Sequence, residues 1–591
     1  MLNKTCGFLL LMVLLCSGIL RAGSLADKAA IFDENVAKNH IPLGLVVNLQ
    51  PVSDGRTVFS SSADSTIWTG TYIASQIYRY KVTGSQTALE NAMKCLEAFV
   101  MLEEMSGNQG FMGRCFGLPE QFHGQRGFVR GVGSYSHLVY RADTSRDQYT
   151  GVFLGAAAAW PFINNAELRK RVAQTMENAG LNLVKNNLAL HAKVGDETIV
   201  PFNLNPDYAY QDRINPEEWA KVDDFPANVF AQMFPYTNRL ARIVASFCPP
   251  PVRGGEALRA LLMLETSARI SENPEIESFL SDKLLKEKAF HEIASSSCLL
   301  LSDVFYGRRQ DFVGEKMAEI FAEIVRLGWH GLAIRLSLPE SLANSFEAMI
   351  IPVKLSIGKM LAGRTLAVIN FARDGGGFLL LARLSEIATQ SNKFLKSLFP
   401  SEGKINKKLD SLSEKLRLCS RSNIDEFADT MRSYVGCNLT YLALLGILEH
   451  SQNELCRKSA LAILPRAFAE IADEKNSLYT FITAAFCPEV VSESQMNGAI
   501  ETMRLYPLDQ IERRFEHNPK RVSPWPDRFG RYGRQGIDII AINQRAPHIF
   551  IWQEPPRSLV TGSDSGRKIA PAGYLLAYWF ARFHKLIGAE D

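Results

Sequence analysis

The stretch Tyr140-Arg141-Ala142-Asp143-Thr144-Ser145-Arg146-Asp147-Gln148-Tyr149-Thr150-Gly151 sets two carboxylates among two arginines at what reads as a helix start. Acids four positions apart can reach a common cleft. There, mutual repulsion raises the pKa of one carboxyl while a neighbouring arginine keeps the other charged. One protonated acid beside one charged carboxylate is the arrangement that glycosidic chemistry uses. Asp143 and Asp147 are therefore the candidate catalytic residues. A second explanation covers part of the motif. Ser145 and Gln148 have the S-x-x-Q spacing of a capping box, and Asp147 falls in the first turn, where the helix dipole favours an anion.

Asp64-Ser65-Thr66-Ile67-Trp68-Thr69-Gly70-Thr71-Tyr72 is the second candidate. Asp64 suits an N-cap, and Trp68 in the first turn suits a platform for a sugar ring with the acid taking a hydroxyl. Tyr72 and Gln148 complete this substrate-contacting set. Arg114, Arg126, Arg130 and Arg141 form a basic group suited to an acidic sugar, because a guanidinium binds a carboxylate through two parallel hydrogen bonds. Towards the C-terminus, Trp525, Asp527, Arg528, Arg531, Trp552, Glu554, Tyr578 and Trp579 repeat the aromatic-plus-ionic character. Trp525 and Trp552 are taken from it as further substrate contacts.

The elements that must position these residues read as paired helices. After Asp64, apolar residues recur at helical spacing through Ile67, Ala74, Ile77 and Tyr78 until Thr83-Gly84 supplies a stop. Ser85 then caps a helix through Leu89, Leu96 and Val100 that ends at Ser106-Gly107. Two amphipathic helices joined so tightly run antiparallel. The plan recurs at Ser145–Phe162 with Ala166–Lys185, at Ala227–Ser246 with Glu256–Arg269, and at Asn438–Glu449 with Glu454–Ala472, before a terminal helix over Tyr574–Leu586. Long loops lie between, at Gly107–Arg141, Pro201–Pro226 and Pro519–Pro571, and loops of that length usually build a binding surface. Strands are expected only at Leu43–Leu49, Ile537–Ile542 and His548–Trp552. Lys283–Leu418 reads as a helical insertion. Without βαβ alternation or a fixed repeat period, the fold class is all-α, a closed ring of hairpins in preference to a solenoid.

The bulk numbers bound the partners. The chain has 591 residues, with 65 Lys and Arg against 62 Asp and Glu and a net charge of +3, which argues against nucleic acid. Met1–Ser24 has Lys4, an apolar run from Cys6 to Cys16 and small residues at Ala22-Gly23-Ser24, the plan of a secretory signal. Export to the periplasm or beyond is expected, with residues 25–591 as the mature domain. Leu15 ahead of Cys16 is larger than lipoprotein processing favours. No later apolar segment is long enough to serve as a membrane anchor. Ten cysteines without a CxxC, and histidines without an HExxH, predict no zinc site, and nothing requires a metal or cofactor. Cys95 and Cys115 can either pair or stay as buried thiols.

The segments DSTIWTGTYIASQIYRYKVTGSQTALENA, GFMGR, RADTSRDQYTGVFLG and APAGYLLAYWFAR resemble the (α/α)6-toroid superfamily of six-hairpin glycosidases, mainly over residues 60–165 and more weakly over 430–590. Members include unsaturated glucuronyl hydrolases and sugar epimerases. The resemblance implies a cleft at the loop-bearing end of the inner helices, with Asp143 and Asp147 as catalytic acids and Asp64 and Trp68 on the opposing wall. The implied activity is glycoside hydrolysis of a glycan or oligosaccharide, acidic ones included. A lyase or epimerase on the same fold would instead use Tyr149, Tyr72 or His137 to take a proton. A non-catalytic scaffold for a glycan or a protein is the rival of a different class.

Overall fold

The computed structural model describes residues 24–52, 55–60, 63–122, 124–194, 197–205, 254–296, 434–469, 471–522, 534–589 and 591. Residues 1–23 of the expected signal, the helix expected at Ala227–Ser246, Trp525 and its neighbours to Arg531, and nearly all of the expected insertion lie outside the described residues. What is described is mostly helical, with a few short antiparallel strands. No helix among the described residues is long and apolar enough to cross a membrane.

In chain order the helices are α1 (Leu25–Asn35), α2 (Ser65–Thr83), α3 (Gln86–Ser106), α4 (Arg146–Ala159), α5 (Ala166–Lys185), α6 (Gly254–Ser271), α7 (Pro274–Ser278), α8 (Phe290–Ser296), α9 (Tyr434–His450), α10 (Glu454–Ala469), α11 (Ser477–Phe486), α12 (Glu493–Leu505) and α13 (Ala572–Phe583). Their ends follow local chemistry. Gly84 and Gly107 terminate α2 and α3 in the left-handed region, at φ +70° and +67°, where a side chain would be strained. Ser85, Asn165 and Asn476 each accept a backbone N–H at the start of α3, α5 and α11.

Two kinds of helix alternate. Residues 65–78 of α2, 148–159 of α4, 255–268 of α6, 440–448 of α9, 477–483 of α11 and 572–581 of α13 are buried without interruption. A helix buried on every face must have neighbours all round. Here α2 packs on α4, α4 on α6, α6 on α9, α9 on α11, α11 on α13, and α13 on α2; α4 also touches α9. The remaining long helices each keep an exposed face. Of these, α3 packs on α2, α5 on α6, α10 on α9, α12 on α11 and α1 on α13.

The buried neighbours α2 and α4 run in the same direction. A Cβ on Gly151 would meet Ile67, and one on Gly155 would meet Gly70 and Ile73, so α2 and α4 rise together. Parallel helices need a return element, and each exposed helix supplies one. This places the short connections, such as residues 84–85, 272–273 and 451–453, at the ends of the buried helices. Among the described residues, the long connection 107–145 leads into the start of α4, and residues 506–522 and 534–571 precede the start of α13.

The strands fall mainly within these connections. Phe116–Gly117 (β3), Phe128–Arg130 (β4) and Val139–Arg141 (β5) form a three-stranded sheet in the order β3-β5-β4, between the hairpin Leu49–Pro51 (β1) with Thr57–Phe59 (β2) and the pair Ala189–Val194 (β6) with Glu197–Asn203 (β7). The expected strands are not where the sequence pattern put them. Residues 43–48 are irregular, with the Val46 N–H held by Thr69 Oγ1 at 2.7 Å. Ile542–Gln544 and Ile551–Gln553 are single 3-10 turns. A short apolar run signals burial alone, and residues 44–48 and 549–552 are buried without forming strands, whereas residues 537–541 stay partly exposed. Cys95 and Cys115 are both free and buried, and burial pushes both thiols well up from their ordinary range.

Candidate functional site

The starts of α2 and α4 lie side by side beneath the 107–145 connection, and the backbone fixes their relation. Thr66 N–H and Oγ1–H both reach the Arg114 carbonyl, at 3.1 and 2.6 Å, which ties that loop to the first turn of α2. Arg114 N–H donates to the Arg141 carbonyl at 3.3 Å, and Arg141 N–H to the Cys115 carbonyl at 2.9 Å. Arg114 and Arg141 thus project from paired, anchored segments.

Their guanidinium groups meet on one carboxylate. Arg114 Nε lies 3.1 Å from Asp143 Oδ2, and Arg141 Nε lies 2.8 Å from Asp143 Oδ1. Arg114 Nη1 also donates to the Ala63 carbonyl at 2.6 Å and lies 3.3 Å from Asp64 Oδ1. The arginine side chains are 18% and 30% exposed, whereas those of Asp64 and Asp143 are 49% and 51% exposed. The carboxylates are thus the accessible part of the cluster.

Gln148 sits under this cluster, fully buried. Its Nε2 donates to Asp64 Oδ1 at 3.0 Å, and its Oε1 accepts the Ile67 N–H at 3.0 Å. The capping box expected within α4 does not form, because Ser145 makes no side-chain cap bond. The Gln148 amide reaches across instead and satisfies a first-turn N–H of α2. Asp64 likewise makes no cap bond, its carboxylate being directed to Arg114 and Gln148.

Asp147 takes a different partner from Asp143. Its Oδ1 lies 3.7 Å from Arg146 Nε. Arg146 Nη1 lies 2.5 Å from Glu256 Oε1, and Arg259 Nη1 lies 3.1 Å from Glu256 Oε2. Glu256 and Arg259 are buried, so removal of Glu256 would leave the Arg259 guanidinium as an uncompensated charge, whereas Glu256 keeps Arg146 if Arg259 is lost. Sequence reasoning missed both residues. The signal available was an acid in the first turn of α6, the same pattern as Asp147 in α4. Instead of sharing one proton, Asp143 and Asp147 each lie beside a guanidinium.

The aromatic candidates are interior residues. Trp68 is 2% exposed and stacks on Phe550, with centroids 4.7 Å apart and planes 10° from parallel, so it forms no open sugar platform here. Tyr72 is fully buried, and burial holds its phenol well above the ordinary range. Tyr149 is buried too, its hydroxyl donating to the Gly110 carbonyl at 2.5 Å and accepting the Met112 N–H at 2.9 Å, and burial likewise raises its phenol. Neither tyrosine is placed to take a proton from a ligand. Trp552 is 3% exposed and gives its indole N–H to the Gly573 carbonyl at 2.7 Å. Its edge lines a small crevice with Glu474, Lys475, Arg545 and Glu554. A first-turn tryptophan reads as a platform only if one helix face is open, and α2 and its neighbours leave none.

Arg126, Arg130 and His137 are exposed on the same connection. No three His, Cys, Asp or Glu side chains among the described residues gather as a metal site would require. Compared with known proteins, the chain matches no protein-family model, no curated protein and no solved structure.

Proposed function

We propose that the protein is an exported carbohydrate-active enzyme, a glycoside hydrolase, built as a closed (α/α) ring of six helical hairpins. The order of contacts supports the ring. Among the described residues, six buried helices touch in sequence from α2 round to α13 and back to α2, and five long helices with an exposed face, α1, α3, α5, α10 and α12, pack against them, α1 on α13. The long connections leading into α4 and α13 make that end the natural place for a cleft.

One observation carries the site: half-exposed carboxylates from two helix starts, Asp64 and Asp143, are joined through Arg114 at that end. Asp143 and Asp147 are assigned the acid/base work, one protonating the leaving oxygen and the other directing water. Asp64, Arg141 and Gln148 hold the sugar hydroxyls or an acidic group. The test is a depolymerisation screen that includes unsaturated uronide oligosaccharides, comparing the mature protein with Asp143→Asn and Asp147→Asn. Turnover is expected to fall by about 100-fold or more in one variant whose melting temperature is unchanged.

The arginine clamp on Asp143 favours a second reading, a non-catalytic glycan-binding scaffold, since a carboxylate held by two guanidinium groups suits binding more than proton donation. Absence of turnover on every glycan, with binding undiminished in both variants, would select it.

A further inference from the structure

Arg114 and Arg141 converge on Asp143, and the three residues are held differently. Both arginines sit on backbone hydrogen-bonded to neighbouring segments, and Arg114 is held additionally by the Ala63 carbonyl at 2.6 Å. Asp143 belongs to the irregular connection between β5 and α4, outside any helix or strand, and half of its side chain is open to solvent. Removing its carboxylate would leave two guanidinium groups in place, pointing at one position, with Asp64 and Ala63 still fixing the first of them. Arg114 Nε together with Nε and Nη2 of Arg141 on one point are a receptor for a carboxylate.

We infer that Arg114 and Arg141 form a carboxylate-binding site that Asp143 occupies as an internal stand-in, and that the carboxylate of an acidic ligand displaces it. The ligand class is a uronic acid residue, an identification that rests on the carbohydrate reading above. Exchange of one carboxylate for another keeps the charge balance of the cluster, so occupation costs no unpaired arginine. It also frees Asp143 beside the ligand, where a catalytic acid or base would be wanted. A ligand that must displace an internal competitor binds more weakly than the site itself allows, by the fraction of time the competitor is away.

Calorimetric titration with glucuronate tests this, with glucose as the neutral control, on the mature wild-type protein, Asp143→Ala, and Asp143→Ala combined with Arg114→Gln. Asp143→Ala is expected to bind glucuronate about tenfold more tightly than wild type, as removal of a competitor present nine-tenths of the time would give. The added Arg114→Gln should abolish that gain, and glucose should not show it. Unchanged or weaker glucuronate binding in Asp143→Ala overturns the inference, and so does an equal gain for glucose. Should the alanine variant melt early, Asp143→Asn keeps the size of the side chain and serves in its place. A measured gain without hydrolysis of any glycan removes the hydrolase reading and leaves the carboxylate site standing; hydrolysis without the gain does the reverse.

Discussion

Where α2 meets α4, a Cβ on Gly70 would lie 1.8 Å from the Gly151 carbonyl oxygen, and one on Gly151 would lie 2.5 Å from the Ile67 backbone. Backbone cannot yield as a side-chain tip can, so the helices would have to separate. Gly70→Ala and Gly151→Ala are each expected to cost about 3 kcal/mol or more, the upper range for overpacking, read as a lowered denaturant midpoint. Two buried ionisable groups set opposite pH trends. Burial holds His450 down at about 3, so the unfolded chain binds the extra proton first, and stability falls as pH drops from about 6.5 towards 3. His450→Phe should flatten that acid limb in melts taken across the range. Burial raises Asp33 to about 6 despite Arg79, Gln76 and Trp579 around it, so the folded state binds the proton first. Its contribution therefore weakens stability as pH rises from about 4 to 6. The two trends oppose each other where the windows overlap, so Asp33→Asn should steepen the rise of stability with pH between about 4 and 6, and an unchanged slope would contradict the assignment.

At the scale of elements, Gln148 is worth more than its place in a capping motif suggests. Gln148→Leu strands the Ile67 N–H in the core and should cost about 1–3 kcal/mol. Ser145→Ala, which removes a hydroxyl that caps nothing, should stay within about 0.5 kcal/mol. Thermal melting of the two variants separates the cross-helix bond from the local one. The contrast marks where the sequence was readable. Helix ends at Gly84, Gly107 and Ser85 were legible because the residue that stops or caps a helix lies beside it in the chain. The bridge from Gln148 to Ile67 was not, since the same S-x-x-Q spacing serves a local box or a neighbour equally well. Trp68 and Tyr72 were misjudged for a related reason: periodicity reports that a helix has an apolar face, and α2 has no other kind. The arginine bridge from Asp64 to Asp143 joins residues some 80 positions apart through a third segment, which no local pattern encodes.

For the molecule as a whole, α1 is the clasp. Lys28 Nζ donates to the carbonyls of Met503, Arg504 and Tyr506, at 3.2, 2.7 and 2.7 Å. Asp33 accepts the Trp579 indole N–H at 2.9 Å and the Gln76 amide at 2.7 Å, and Phe32 lies edge-on to Tyr574 with centroids 5.0 Å apart. Lys28→Met should leave the end of α12 with unpaired carbonyls and cost about 2 kcal/mol, with faster hydrogen exchange concentrated in α1. The order of synthesis gives these contacts a further meaning. Among the described helices α1 comes first in the chain, yet the rings packed on Phe32 belong to Tyr506 and Tyr574, some 475 residues later and beyond. Until those are made Phe32 lacks the partners that cover it in the folded protein, so a holding chaperone has a ready handle. Nascent chains stalled before residue 500 should therefore show α1 open to protease, and release of the complete polypeptide should close it.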